Sequence, residues 1–564
     1  MALLIRTSGI KALASSLLVV AAAIAVSSNP TLAAPLDMLK RFEERLAILD
    51  ETDTETPVDF GSGPGLKPLA EVVSRRLGVM RTPIPAAGQI PTGGTGANVA
   101  GVFGAAVKWP IIPIHAILLP DGRVMNYGSN ATGAQGAQLI YDVWTPTLGT
   151  GTSAHTVLPN TTSTDIFCSA QSLLPNGDVL AAGGDLTVNG ARSSANNDTT
   201  IFSTSADTLT ANTPMTYARW YGSLVSLPNG QLAIFGGRQN VGTLWPAVGA
   251  QTPELYDPAS KSWTLLTGAT SAHAFGSDEW YYPRSFLAPG GKVFVLANNG
   301  RTYYASTAGV GSITKSNVVA PIGDSTLPTI PFAPGKLLSL RLNQAVVVVD
   351  YTTATPVITP TGNMDQVRYY ASGTVMADGK VLITGGSQVQ NVLTGVAYQA
   401  QIWDPATGHW TAGATATKAR LYHSNALLLP DASVLTGGGG APGPVKNLNA
   451  EIYYPPYLYA PSGAAAIRPV ISAIASTFVN PGDTLNITVG ATDIISRMTF
   501  IRLGSATHNY NPDQRFIALT STQEGQNVTA VLPSDTTVLL PGYYMLFAFN
   551  TAGVPSRAKI VNVQ

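Results

Sequence analysis

The sequence predicts an all-β protein: a seven-bladed β-propeller of kelch-type period followed by a small immunoglobulin-like β-sandwich, with a short helical N-terminal region. Three observations carry this expectation. Seven tight-turn signals recur at intervals of about 43 to 61 residues, the length of one four-stranded blade in kelch-like repeats. Gly numbers 56 and Pro 40, while charged residues make up only 11% of the 564, a balance that favours short strands and tight turns over long amphipathic helices. Past residue 468 the blade pattern gives way to short alternating strands.

At the N-terminus, Arg6 and Lys11 precede an apolar stretch over residues 12–26, followed by Ser27-Ser28-Asn29-Pro30-Thr31-Leu32-Ala33, whose small residues suit signal peptidase. Cleavage is expected after Ala33, making residues 1–33 a signal peptide and the protein secreted or periplasmic. The apolar stretch of about 15 residues falls short of the roughly 20 that span a bilayer. No later segment is apolar for long enough, so no membrane attachment is expected. In residues 34–104, Leu39, Phe42, Leu46 and Leu49 recur at helical spacing, as do Leu69, Val73 and Leu77, and predict two short amphipathic helices. The Gly-, Pro- and Ala-rich stretch 83–101 reads as a linker.

Residues 105–457 carry the repeat. Its turns are Pro120-Asp121-Gly122, Pro175-Asn176-Gly177, Pro228-Asn229-Gly230, Pro289-Gly290-Gly291, Pro334-Gly335-Lys336, Ala377-Asp378-Gly379 and Pro430-Asp431-Ala432. Asn-Gly and Asp-Gly supply the positive φ of tight hairpins, and runs such as Leu232-Ala233-Ile234-Phe235-Gly236-Gly237 supply the flanking strands. Residues 468–564 form the expected sandwich, with strands near 484–489, 497–503, 527–532 and 543–550 and turns at Pro481-Gly482 and Pro541-Gly542.

Lys plus Arg equals Asp plus Glu at 32 each, so nothing in the charge balance points to nucleic acid, an anionic membrane or a strongly charged substrate. A neutral small molecule is the partner that fits, and a monomer is expected. One cysteine, Cys168, stands in the whole chain, and no disulfide can form within it. Taken alone, Cys168 reads as a small buried hydrophobe. Histidine is scarce: His115, His155, His273, His409, His423 and His508. His423 follows Tyr422 just ahead of the first strand of the last blade, where side chains from different blades converge on the propeller axis. His508 lies in a turn-rich loop of the last domain that can reach the same mouth.

Four segments, Asp165-Ile166-Phe167-Cys168, Ala218-Arg219-Trp220-Tyr221, Leu421-Tyr422-His423-Ser424 and Gly504-Ser505-Ala506-Thr507-His508, resemble in order and context the copper-site segments of galactose oxidase and glyoxal oxidase. The similarity runs from about residue 105 to the C-terminus and includes Leu540-Pro541-Gly542-Tyr543-Tyr544-Met545-Leu546-Phe547. Arg219-Trp220-Tyr221 looks more like the glyoxal oxidase branch. The resemblance implies copper held by His423, His508, Tyr221 and an axial Tyr422, with Cys168 joined to the Tyr221 ring by a thioether that supports a tyrosyl radical. Two imidazoles and two phenolates suit Cu(II), whereas zinc would favour a tetrahedral site.

The implied reaction is oxidation by O2 of a small aldehyde of the glyoxal type, or of a primary alcohol, to the acid or aldehyde plus hydrogen peroxide. Tyr422 would be the general base, and Arg284 stands near the position of the family's substrate-contacting arginine. Where galactose oxidase has a tryptophan over the linked tyrosine, this chain has Gln239, and Trp220 is the alternative shield. Taken singly, Tyr221 and Tyr422 read first as packing aromatics, the usual role of tyrosines at blade edges, and His508 also fits a surface-loop histidine. A kelch propeller that binds glycan or protein without catalysis, or a copper protein without a radical, also fits the residues themselves.

Overall fold

The computed structural model describes residues 90–188, 191–239, 248–276 and 279–564. The expected signal peptide and the two helices expected between residues 39 and 77 lie outside the described residues. Each of the seven turn signals is the hairpin between a blade's own first two strands; the seven antiparallel sheets are the seven blades, five of them four-stranded and those of blades 1 and 7 five-stranded. Their first strands are His115–Leu118, Ala170–Leu173, Ser223–Ser226, Arg284–Leu287, Thr329–Ala333, Ser372–Val375 and Ser424–Leu428. Six turns place a glycine at φ between 72° and 89°, and in the seventh Ala432 adopts φ 68°. The hairpins are thus built on the left-handed residues that the Asn-Gly and Asp-Gly signals require.

The ring is closed by the chain's own start. Val102–Phe103 and Val107–Lys108 both pair with Asn449–Tyr454, the third strand of blade 7, so the last blade is completed from the N-terminal side. Buried ion pairs recur within blades, joining the segment ahead of the first strand to the third strand: Arg219 with Glu254 at 3.0 Å in blade 3 and Arg420 with Glu451 at 3.0 Å in blade 7, all four side chains nearly or wholly inaccessible. Such pairs contribute more to a single defined arrangement than to net stability. Both arginines also donate to backbone carbonyls around the Gly-Gly pairs, Arg219 to Gly236 O and Arg420 to Gly438 O.

The C-terminal domain is one eight-stranded sheet curled around its own apolar core, which includes Leu485, Phe500, Leu519, Leu546 and Val561. Phe516–Glu524 forms the corner: its first residues pair with Ile495–Arg502 and its last with Asn527–Val531. Between residues 502 and 516 this domain sends a plug into the propeller. Ser505–Thr507 pairs with His115–Leu118 as an extra inner strand of blade 1. Asp513 then ties the plug to blades 2 and 3, accepting from Ser172 Oγ, Leu173 N and Ser226 Oγ. Gln514 ties it to blade 6 through Thr374 and Val375. No helix among the described residues is long and apolar enough to cross a membrane.

Candidate metal centre

Just before its first strand, each of five blades places a non-glycine residue in left-handed backbone: Cys168 (φ 55°), Tyr221 (φ 67°), Tyr282 (φ 36°), Tyr370 (φ 60°) and His423 (φ 68°). In the plug, His508 (φ 48°) and Asn509 (φ 70°) do the same. This conformation costs about 1–2 kcal/mol per residue and persists only where the surroundings fix it. Here neighbouring blades fix one another: Tyr221 N donates to Cys168 O at 3.0 Å, Tyr282 N to Tyr221 O at 2.8 Å and Tyr370 N to Thr326 O at 2.8 Å. The Gly-Gly pairs allow the close approach. A Cβ on Gly183 would lie 2.0 Å from Arg219 O, and one on Gly438 would lie 2.6 Å from His423 O.

Tyr221, Tyr422, His423, His508 and Cys168, all expected at the site, are brought together, with Tyr422 half-buried and the other four buried. The Tyr221 and Tyr422 hydroxyls are in direct hydrogen-bond contact. His423 Nε2 lies 3.6 Å and His508 Nε2 3.3 Å from Cys168 Sγ. His423 Nδ1 donates to Gly440 O at 2.6 Å, which leaves the Nε2 lone pair turned inward; His508 Nδ1 is engaged by the Thr507 hydroxyl. Cys168 is a buried free thiol in side-chain contact with Tyr221. The Tyr422 ring stacks on His423 at 3.7 Å.

Burial governs the electrostatics. It lowers His423 to about 3 and His508 well below its usual range, so both are neutral lone-pair donors at ordinary pH. It also holds the Tyr221 and Tyr422 phenols, and the Cys168 thiol, well above their usual values. Two touching phenols raised in this way lose protons only when a cation arrives to replace them. Two neutral imidazoles and two such phenols fit Cu(II) in type and number.

Arg284, expected near the position of the substrate-contacting arginine, is held by the protein itself. It is 4% exposed, and its guanidinium donates to Tyr282 O, Ser325 O, Leu327 O and Asn509 Oδ1 at 2.7–3.2 Å. It fastens the loop that presents His508. Gln239 is half-buried, with its backbone N–H on Val248 O. The rings beside Tyr221 are Tyr281, stacked at 4.6 Å and 23°, and Trp220, tilted at 4.4 Å.

Sequence reasoning missed Tyr281, Tyr282, Tyr370 and His115 around this centre. For two of them a signal was present. Cys168, Tyr221, Tyr282, Tyr370 and His423 each stand seven residues before the opening residue of their blade's turn, at Pro175, Pro228, Pro289, Ala377 and Pro430. Aligning the blades on their turns would have exposed the shared slot.

Comparisons with known proteins agree with this geometry. The glyoxal oxidase N-terminus model matches residues 134–316, and the galactose oxidase-like early set domain model matches residues 468–563. Galactose oxidase of Gibberella zeae is 30% identical over 500 residues, covering 82% of this chain and 70% of its own. The aldehyde oxidase GLOX of Vitis pseudoreticulata is 26% identical over 450 residues, covering 71% and 82%. Among solved structures, a fungal alcohol oxidase of the AA5 family in complex with copper superposes with a TM-score of 0.72 at 25% identity, over 82% of this chain and all of that one. The chain belongs to the galactose oxidase and glyoxal oxidase family of copper-dependent oxidases.

Proposed function

We propose that this oxidase works through a thioether-linked tyrosyl radical on Tyr221, bridged to Cys168, and that small aldehydes in their hydrated form, or primary alcohols, are its substrates. The observation that supports this is the convergence of two touching phenols, two inward-facing imidazole Nε2 atoms and the lone cysteine at one buried point. When bound, copper supplies a position for the substrate oxygen and a one-electron acceptor. His423 and His508 hold it, with their Nδ1 atoms fixed by Gly440 O and Thr507. Tyr422 Oη takes the proton of the substrate hydroxyl as general base. Tyr221, as the radical, takes the hydrogen from the adjacent carbon. The sulfur bonded to its ring lowers the potential at which the radical forms. Tyr281 and Trp220 cover the ring faces and exclude water. O2 receives two electrons and two protons and leaves as hydrogen peroxide, so an alcohol yields an aldehyde and an aldehyde hydrate yields an acid.

One observation at the mouth supports a substrate class. Trp220 Nε1, buried beside Tyr221, has no hydrogen-bond partner among the described residues. A buried donor of this kind favours a ligand that carries a second oxygen. Glyoxal, methylglyoxal and glycolaldehyde meet that requirement at small size. The protein is proposed to act outside the cytoplasm as a monomer after cleavage behind Ala33. A peroxide-coupled assay tests the reading: turnover of these aldehydes is expected to exceed that of galactose and to be lost in Cys168→Ser. Faster turnover of galactose than of every small aldehyde would overturn the substrate class, and full activity in Cys168→Ser would overturn the radical.

A further inference from the structure

The opposite end of the propeller holds a second polar centre. Ser223–Ser226 and Arg284–Leu287 start next to Tyr221 and Tyr282 in sequence, at the metal centre, and Thr329–Ala333 is the matching first strand of blade 5. The last residues of these three strands, Ser226, Leu287 and Ala333, meet residues 512–515 of the plug and enclose a cavity of about 20 Å³ with them. That volume admits one water or one ion of similar size, and no polyatomic group. Its walls are largely apolar, Phe286 of blade 4 and Pro331 of blade 5 among them. The charged groups that line it are Arg502, Asp513 and Arg515.

Those charges do not cancel. Asp513 accepts from Arg502 Nη1 and from Ser172, Ser226, Leu173 N and Ser505, and these donors use up the about four lone-pair positions of a carboxylate. Arg502 is 2% exposed, and its Nε is buried with no hydrogen-bond partner among the described residues. Arg515 donates to carbonyls alone, Nη1 to Thr537 O and Val538 O and Nη2 to Leu287 O. Burial, and then the like charge of Arg502, disfavour its charge, while Asp535, the carboxylate that acts on it from the other side of the balance, is exposed to solvent. One cation is therefore in excess at a cavity rich in donors and poor in acceptors, between apolar walls that screen it weakly. A water accepts from a guanidinium but turns its own hydrogens toward a saturated carboxylate; an anion has none to place.

We propose that this cavity is a binding site for a single monatomic anion, a halide of the size of chloride or bromide, held between Arg502 and Arg515. Binding is association alone, with no covalent or redox change. The ion neutralises the excess charge and ties the ends of blades 3, 4 and 5 to residues 512–515, and so steadies the plug that delivers His508. The site uses no part of the copper chemistry and stands or falls independently of it.

The test uses the copper-loaded full chain, freed of halide by exchange into gluconate. Crystals soaked in bromide are expected to show an anomalous peak inside the cavity, within hydrogen-bonding range of both guanidinium groups. In solution, chloride replaces gluconate at constant ionic strength from about 1 to about 200 mM; the melting temperature is expected to rise by about 2 °C, the value for a dissociation constant of about 5 mM. Bromide is expected to act alike and sulfate, too large for the cavity, to have no effect. Arg515→Gln is expected to reduce the rise to below about 0.5 °C. Absence of an anomalous peak in the cavity, an equal response to sulfate, or an undiminished halide response in a folded Arg515→Gln overturns the proposal. A bromide peak without halide-dependent melting is binding at crystal concentration only and overturns it equally. The wild-type measurements decide even if the variant misfolds.

Discussion

Asp513→Asn should uncouple the plug from the propeller and reach the metal centre without touching it. The Asp513 carboxylate is 2% exposed and accepts five hydrogen bonds: Oδ1 from Ser172 Oγ, Ser226 Oγ and Arg502 Nη1, and Oδ2 from Leu173 N and Ser505 Oγ. An amide nitrogen in place of Oδ2 meets the Leu173 N–H, and in place of Oδ1 it meets the buried Arg502; either way two donors face each other. Removing one partner of a buried, hydrogen-bonded charge pair costs about 3–5 kcal/mol, and the lower end applies because asparagine keeps part of the network. Unfolding entropy of about 2.1 cal/mol/K per residue, taken over residues 79–564, converts 3 kcal/mol into a fall of about 3 °C in melting temperature. Ser505 begins the strand Ser505–Thr507 that leads directly into His508, so copper affinity is expected to fall by about 10- to 100-fold as well, as it does when the support of a metal ligand is loosened. Calorimetry and copper competition on the purified variant measure both. A variant that melts with the wild type and binds copper equally well would refute the idea that Asp513 positions His508.

Three further outcomes are expected. His508→Ala should lose copper binding, measured by metal content after reconstitution, while circular dichroism retains the wild-type strand spectrum. Gly183→Ala, at φ 72° with its Cβ 2.0 Å from Arg219 O, should lose at least about 3 kcal/mol in urea unfolding, since the obstacle is backbone. In the copper-free protein His115 and His423 titrate near 3 because burial lowers them, against about 6.5 when unfolded. The unfolded chain then binds more protons across that window, so stability should be full above about pH 6.5 and fall as pH drops, by about 1.4 kcal/mol per pH unit for each such imidazole; a melting temperature flat between pH 7 and pH 4 would contradict this.

The fold was legible because its punctuation is local. Each Pro-Asn-Gly, Pro-Asp-Gly or related turn announces a left-handed residue and a reversal within a few positions, and seven such turns at blade spacing leave few architectures. The residues gathered at the candidate centre were legible for another reason: Tyr422-His423 and Cys168 are rare residues in motifs. Tyr282 and Tyr370 were not, because a tyrosine at a blade edge reads as packing until its backbone is seen to be left-handed, and Tyr281, beside Tyr282, carries no such mark. His115 was missed since its strand pairs with a plug about 390 residues away in sequence, a pairing with no local signal. For Arg284 the sequence shows only the residue type, while its hydrogen bonds to Tyr282 O, Ser325 O and Leu327 O depend on the fold.

The left-handed slot also explains why the centre sits where it does. Two blades depart from the pattern, and they are the two whose slot residue does not serve the site. In blade 5 the residue seven before the turn is Leu327, which is absent from the left-handed set and packs into the apolar cluster with Ile330 and Leu338. In blade 1 it is Pro113, whose ring fixes a negative φ; that blade contributes His115 from its first strand and takes Ser505–Thr507 as a neighbour. At about 1–2 kcal/mol each, the strained residues of the centre amount to a sizeable share of the 5–15 kcal/mol that stabilises an ordinary domain. A fold that needed this conformation for closure would show it in all seven blades. It appears instead only where the side chain must turn onto the axis, so the strain belongs to the metal site and not to the propeller.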